Sequence, residues 1–140
     1  MSTRREAREY AVQLLFQLDM NENRLEEVFN RFWSELKADK KAREYAEKLV
    51  RGVRENIAEI DGIIKKYAEH WDIHRMSVIV RNVMRLAIYE MKNCKDVPPV
   101  VVINEAVDVS KYFSDSSSGK FVNGILDRIR KEMEKENAGR

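Results

Sequence analysis

The segment from Ile103 to Ile129, INEAVDVSKYFSDSSSGKFVNGILDRI, restricts the fold more than any other part of the chain. Ile103, Ala106, Val107, Ser110 and Phe113 fall on one side of a helix at 3.6-residue spacing, and Val122, Ile125, Leu126, Ile129 and Met133 repeat the pattern further on. Two amphipathic helices therefore flank one polar loop, Ser114 to Gly119. Lys120 and Phe121 follow at once, which puts hydroxyls, helix-start N–H groups, a cation and an aromatic ring side by side. Such a helix entrance suits a phosphate.

The same period runs through the rest of the chain. Thr3 and Glu6 form a capping-box pattern for a helix to about Met20, with Ala7, Ala11, Leu14, Leu15 and Leu18 inward. Arg8, Val12, Arg5 and Phe16 follow one another around the face away from that core. Cations beside an aromatic ring are what single-stranded RNA recognition needs, and the competing reading is a second packing surface. Asn23 and Glu26 repeat the capping pattern ahead of a stripe of Leu25, Val28, Phe29, Phe32, Trp33 and Leu36. Asp39 caps a third helix whose stripe runs from Ala46 to Trp71 without interruption, which predicts one long helix despite Gly52 and Gly62.

Ser77 caps a helix from Val78 to about Lys92 that is apolar over most of its circumference and so central to the fold. Its narrow polar stripe holds Arg81, Asn82, Arg85 and Tyr89, with Arg75 just upstream. Arginines in such a stripe also serve to pair with carboxylates of neighbouring helices, which is the expectation for at least one of them. Glu90 falls on the apolar side, where an ionised carboxylate requires a cation or several hydrogen-bond donors. Pro98 and Pro99 break the chain and start the Ile103 helix. The tail from about Lys135 is expected to fray. Leu14, Phe32, Trp33, Val53, Leu86, Ala106 and Ile125 are the expected core.

A chain of 140 residues is the size of one domain, here residues 1–140. Its 26 basic and 24 acidic side chains nearly cancel, so any basic patch must be local. The single cysteine, Cys94, excludes an internal disulfide and reads as a small buried hydrophobe. No apolar run approaches the roughly 20 residues of a membrane span and no signal peptide stands at the N-terminus, so a cytoplasmic protein is expected. With only 5 Gly and 2 Pro, the composition is that of a helical protein.

No Gly-rich phosphate loop, Cys and His cluster, or Ser, His and Asp set is evident, so no catalytic residue and no cofactor is expected. His70 and His74 have the i, i+4 spacing of a metal pair, but no third ligand is in view and no metal site is expected. A helical interaction module without RNA binding fits the composition as well as an RNA-binding one does. The aromatic and basic residues near two helix starts favour the second.

The segments INEAVDVSKYF and KFVNGILD, with RNVMRLAIYE upstream and RREAREYAVQLLFQ near the start, closely resemble the bacterial transcription antitermination factor NusB family. The resemblance implies an all-α fold of about seven helices in two packed bundles, with the long third helix and the Val78 helix at their junction. It implies a non-catalytic factor of the transcription elongation complex that binds single-stranded boxA RNA of nascent transcripts together with the small-subunit ribosomal protein NusE. The RNA surface carried over comprises Arg4, Arg5, Arg8, Phe16, Ser118, Lys120 and Phe121; the NusE surface comprises Arg75, Arg81, Arg85 and Glu105. The serine-rich SDSSSG loop departs from other members, which commonly vary here. A NusB-like domain also begins some ribosomal RNA cytosine methyltransferases, but a chain ending at Arg140 leaves no room for a methyl-donor domain.

Overall fold

The computed structural model describes residues 2–20, 24–68 and 76–139. These form α1 (Thr3–Met20), α2 (Leu25–Ser34), α3 (Lys40–Glu55), α4 (Ile57–Tyr67), α5 (Val78–Asn93), α6 (Pro99–Phe113) and α7 (Ser116–Ala138). No strand occurs among the described residues, and none of their helices is long and apolar enough to cross a membrane. Asn23, His70, Trp71, Asp72, His74 and Arg75, each singled out by the sequence, lie outside the described residues.

The first bundle packs α1 against α2 and α3, and the second packs α4, α5, α6 and α7 together. The expectation that the Val78 helix is central holds: α5 touches α1, α3, α4, α6 and α7, and ten of its residues are buried. All seven expected core residues are buried, and the buried apolar side chains of both bundles form one continuous cluster. Tyr10, Phe32 and Trp33 meet edge to face in the first bundle, with centroids 4.9 to 6.0 Å apart.

Five local readings change. The cap of α1 is Ser2, whose Oγ accepts from the Arg5 N–H at 3.1 Å while its carbonyl accepts from Glu6; Thr3 is already helical. Leu36 lies past the end of α2 and is 42% exposed, so the α2 stripe ends at Trp33. The single long third helix is two helices that meet at Asn56, where φ −117° and ψ 21° leave the α-helical region and the side-chain amide donates to the Gly52 carbonyl at 2.8 Å. The apolar period continues across this break, which hides it. The Ser114–Gly119 loop is only Ser114 and Asp115, because Ser116 to Gly119 form the first turn of α7. At the other end α7 stays helical to Ala138, beyond the expected fraying point at Lys135.

Asp39 and Ser77 cap α3 and α5 as expected, and Pro99 occupies the first turn of α6. Gly52 is explained by contact with α5: a Cβ there would come within 2.1 Å of the Tyr89 ring. Gly62 has open space around it and no such explanation.

Candidate nucleic-acid interface

α1 carries Arg5, Arg8, Val12 and Phe16 on one stripe, and that stripe packs against α5 and α6 instead of facing away from the protein. Arg8 and Val12 line a small void with Val83, Leu86, Ala87, Glu90, Ala106 and Val109. The second-packing-surface reading therefore holds for this half of the stripe. Arg8 is 6% exposed and grips Glu90 with two parallel bonds, Nε to Oε1 at 2.7 Å and Nη2 to Oε2 at 2.8 Å. Its remaining Nη1 donates to Glu105 at 3.1 Å. Glu90 also accepts from the Tyr45 hydroxyl at 2.8 Å, so the carboxylate that α5 buries on its apolar side has both the cation and the extra donor it requires. Burial works against the Arg8 charge, yet the Glu90 carboxylate raises its pKa. Burial, followed by the charge of Glu90, pushes the Tyr45 phenol up as well.

The other two arginines of this end are also engaged. Arg5 pairs with Glu105 and, at 2.9 Å, with Asp108. Arg4 is exposed, donates to Asp96 at 2.7 Å and lies 4.7 Å over the Tyr45 ring. Its pair is solvent-facing on both sides and exchangeable, whereas the Arg8 pair is not.

The opposite end of α1 differs in kind. Asp19 accepts from Asn82 and Arg85 near the start of α5, while Arg8 meets Glu90 near its end, so α1 and α5 run antiparallel. The last turns of α1, the start of α5 and the α6–α7 corner accordingly share one end of the molecule. Phe16 sits there, 39% exposed and about 16 Å along α1 from Arg5. Phe121 is half-buried and lines a cavity of about 470 Å³ with Met76, Ser77, Val80, Ser114, Asp115, Ser117 and Ser118. Lys120 is exposed and pairs with no carboxylate among the described residues.

The helix entrance itself is not open to a phosphate in the way the sequence suggests. Asp115 caps α7: its Oδ1 accepts from the Ser118 N–H at 2.8 Å and from the Ser117 hydroxyl at 2.9 Å. These bonds, the Ser118 N–H first, hold its carboxyl below the usual range. An anion thus already occupies the first turn, and Ser118 also exchanges a hydrogen bond with the Ser114 hydroxyl at 2.9 Å.

Sequence reasoning missed Lys111. Its alkyl stem lies across Gly119, where a Cβ would stand 2.8 Å from Cε and 3.0 Å from Cγ. The missing side chain at Gly119 lets a second cation of α6 cross the start of α7. The signal that could have found it is the glycine directly before Lys120, a residue type that permits close approach.

Of the residues assigned to NusE, Arg85 is 8% exposed and bonded to Asp61 through Nε and Nη2, both at 2.8 Å, and to Asn82 and Asp19 through Nη1. It pairs with carboxylates of neighbouring helices, as expected for at least one arginine of this stripe. Arg81 and Glu105 are half-buried, and Glu105 is shared by Arg5 and Arg8. Among the described residues no group of three or more His, Cys, Asp and Glu is arranged to hold a metal.

The architecture is that of an all-helical, two-bundle protein, with its salt-bridged arginines at one end of α1 and its exposed ring at the other. The model of the NusB family matches residues 5–131. The transcription antitermination protein NusB of Thermodesulfovibrio yellowstonii is 44% identical over 92% of each chain. Among solved structures, T. maritima NusB superposes with a TM-score of 0.82 at 44% identity, covering 94% of both chains. A structure of the antitermination factors NusB and NusE in complex with double-stranded RNA gives a TM-score of 0.83 at 37% identity, covering 94% of this chain and 98% of that one. The chain belongs to the NusB family of transcription antitermination proteins.

Proposed function

We propose that this protein, as a single domain over residues 1–140, binds boxA-type single-stranded RNA of nascent transcripts together with NusE and so joins the transcription elongation complex in the cytoplasm. The observation that supports the reading is the end of the molecule where Lys111, Lys120 and Phe121 gather around the α6–α7 corner and α1 brings the exposed Phe16 to the same end, with the neighbouring NusB–NusE–RNA complex as its parallel. Aromatic faces take unstacked bases and the lysines neutralise phosphates, while Ser118 contributes a hydroxyl. Arg4 extends the surface along α1, its exposed pair with Asp96 exchanging for a phosphate contact, and Arg5 adds to it on the side of its pair with the exposed Asp108, while its half-buried pair with Glu105 stays in place; Arg8 holds α1 in place behind them. NusE is assigned to the surface of Arg75, Arg81 and Glu105, with Arg85 fixing α5 beneath it.

The test is fluorescence anisotropy with a labelled boxA strand, its duplex form and an unrelated strand, each with and without NusE. Tighter binding of the single boxA strand in the presence of NusE is expected. Equal affinity for all three RNAs, or no effect of NusE, would sink the reading.

A further inference from the structure

The cavity beside Phe121 combines an apolar interior with a hydrogen-bonding rim. Met76, Val80 and the Phe121 ring supply the apolar part; Ser77, Ser114, Asp115, Ser117 and Ser118 supply the polar part. At about 470 Å³ it falls within the roughly 300–1,000 Å³ of small-ligand sites. Two of the rim groups have defined unused capacity. Asp115 commits only Oδ1, to Ser117 and Ser118, and leaves Oδ2 as a free acceptor on a side chain whose position the cap fixes. Ser77 accepts from the Val80 N–H at 3.1 Å, which leaves its O–H to donate.

The charge pattern decides what part of an RNA enters. A carboxylate at the mouth repels phosphate, while Lys111 and Lys120 stand outside on exposed surface, so the backbone runs along the lysines and a base turns inward. A fixed carboxylate oxygen accepts from an exocyclic amine, and the pairing of Asp or Glu with the cytosine N4 amine is the pyrimidine case. Uracil presents a carbonyl at the same position, which faces Oδ2 lone pair to lone pair.

We propose that this cavity is a pocket for one unstacked cytosine, stacked on Phe121, with its N4 amine on Asp115 Oδ2 and its O2 or N3 accepting from Ser77. The proposal rests on the RNA-binding reading and adds a base preference to it. No base-edge role follows from the helix cap alone; it is the free oxygen together with the cavity and the ring that makes one.

The experiment compares hexacytidylate with hexauridylate by anisotropy on the full chain, with NusE present, for the wild type and for Asp115→Asn and Phe121→Ala. Asparagine caps helices as well as aspartate does, so the fold is kept, but its amide offers N–H as well as carbonyl and serves uracil as readily as cytosine. The wild type is expected to prefer cytidylate by about five- to tenfold. Asp115→Asn should bring that ratio close to one, and Phe121→Ala should weaken both RNAs. Equal affinities in the wild type, or a cytidine preference that survives Asp115→Asn, would overturn the pocket while leaving RNA binding intact. Loss of NusE binding in the two variants with the base ratio unchanged would show a protein-docking cavity instead and overturn it equally. Failure to bind any RNA would remove the functional reading and the pocket together.

Discussion

At the start of α1 three arginines meet four carboxylates, Glu90, Asp96, Glu105 and Asp108, contributed by α5, the α5–α6 turn and α6. At the other end Phe16 is exposed, and Lys111 and Lys120 have no carboxylate partner among the described residues. Read along one helix, Arg5, Arg8 and Phe16 look like one site, cations and an aromatic ring on a single stripe. Across the fold they part, because a guanidinium's availability is decided by the acids that other helices bring to it. The arginine end of α1 is mainly cement between the bundles, whereas the lysines of the α6–α7 corner keep their charges on exposed surface.

The largest expected effect tests the cement. Arg8→Ala leaves the Glu90 carboxylate buried with only Tyr45 as donor and should cost about 3–5 kcal/mol in denaturant unfolding. Exchanging both members, Arg8→Met with Glu90→Leu, should recover most of that loss. A single variant with unchanged stability would erase the contrast between the ends.

The sequence made half of this pair legible. Glu90 on an apolar helix face demanded a cation, but Arg8 stands 82 residues away, and no periodicity connects positions so far apart. α1 left two readings open, since the Ala7 to Leu18 stripe already satisfies one core and nothing local decides whether the Arg5, Arg8, Val12 and Phe16 face packs or is exposed. The same limit explains Asn56, where the stripe keeps its rhythm while the axis changes direction, and Asp115, whose role as a cap shortens a loop that composition alone makes look longer. What short-range spacing did secure was the existence of the other helices, the caps at Asp39 and Ser77, and the seven expected core positions, while the α1 cap moved one residue to Ser2 and Leu36 fell outside the α2 stripe.

Next in size are the rings. Phe16→Ala should cost about 1–3 kcal/mol of RNA affinity with little change in melting temperature, because the side chain is exposed. Phe121→Ala should lose a similar affinity plus some stability, because that ring is half-buried. A fall in melting temperature for Phe16→Ala equal to its affinity loss would return the ring to the core and dissolve the comparison.

The lysines give smaller effects, read in salt dependence. Lys111→Ala and Lys120→Ala should each lower the slope of log affinity against log salt by about 0.7, the value for one phosphate on a single strand. Gly119→Ala, which pushes the Lys111 stem aside, should mimic Lys111→Ala in part. Slopes unchanged from the wild type in all three would mean that the backbone runs elsewhere.

The smallest effect concerns pH. Because hydrogen bonds depress the Asp115 carboxyl in the folded protein, its cap is fully in force above the ordinary aspartate range and is lost only as pH falls through the depressed value. The Ser118 amide resonance should therefore hold steady through the ordinary aspartate range and shift only below it. A shift centred at or above the unperturbed aspartate value would contradict the capped geometry.

The pairing of residue 8 with residue 90 also has a consequence during synthesis. Until α5 leaves the ribosome, Arg8 and Val12 have nothing to pack against, and at roughly 5–20 residues per second that interval of 82 residues lasts about 4 to 16 s. The start of α1 must spend those seconds with its later interface bare, and the growing chain closes over it only when Glu90 arrives.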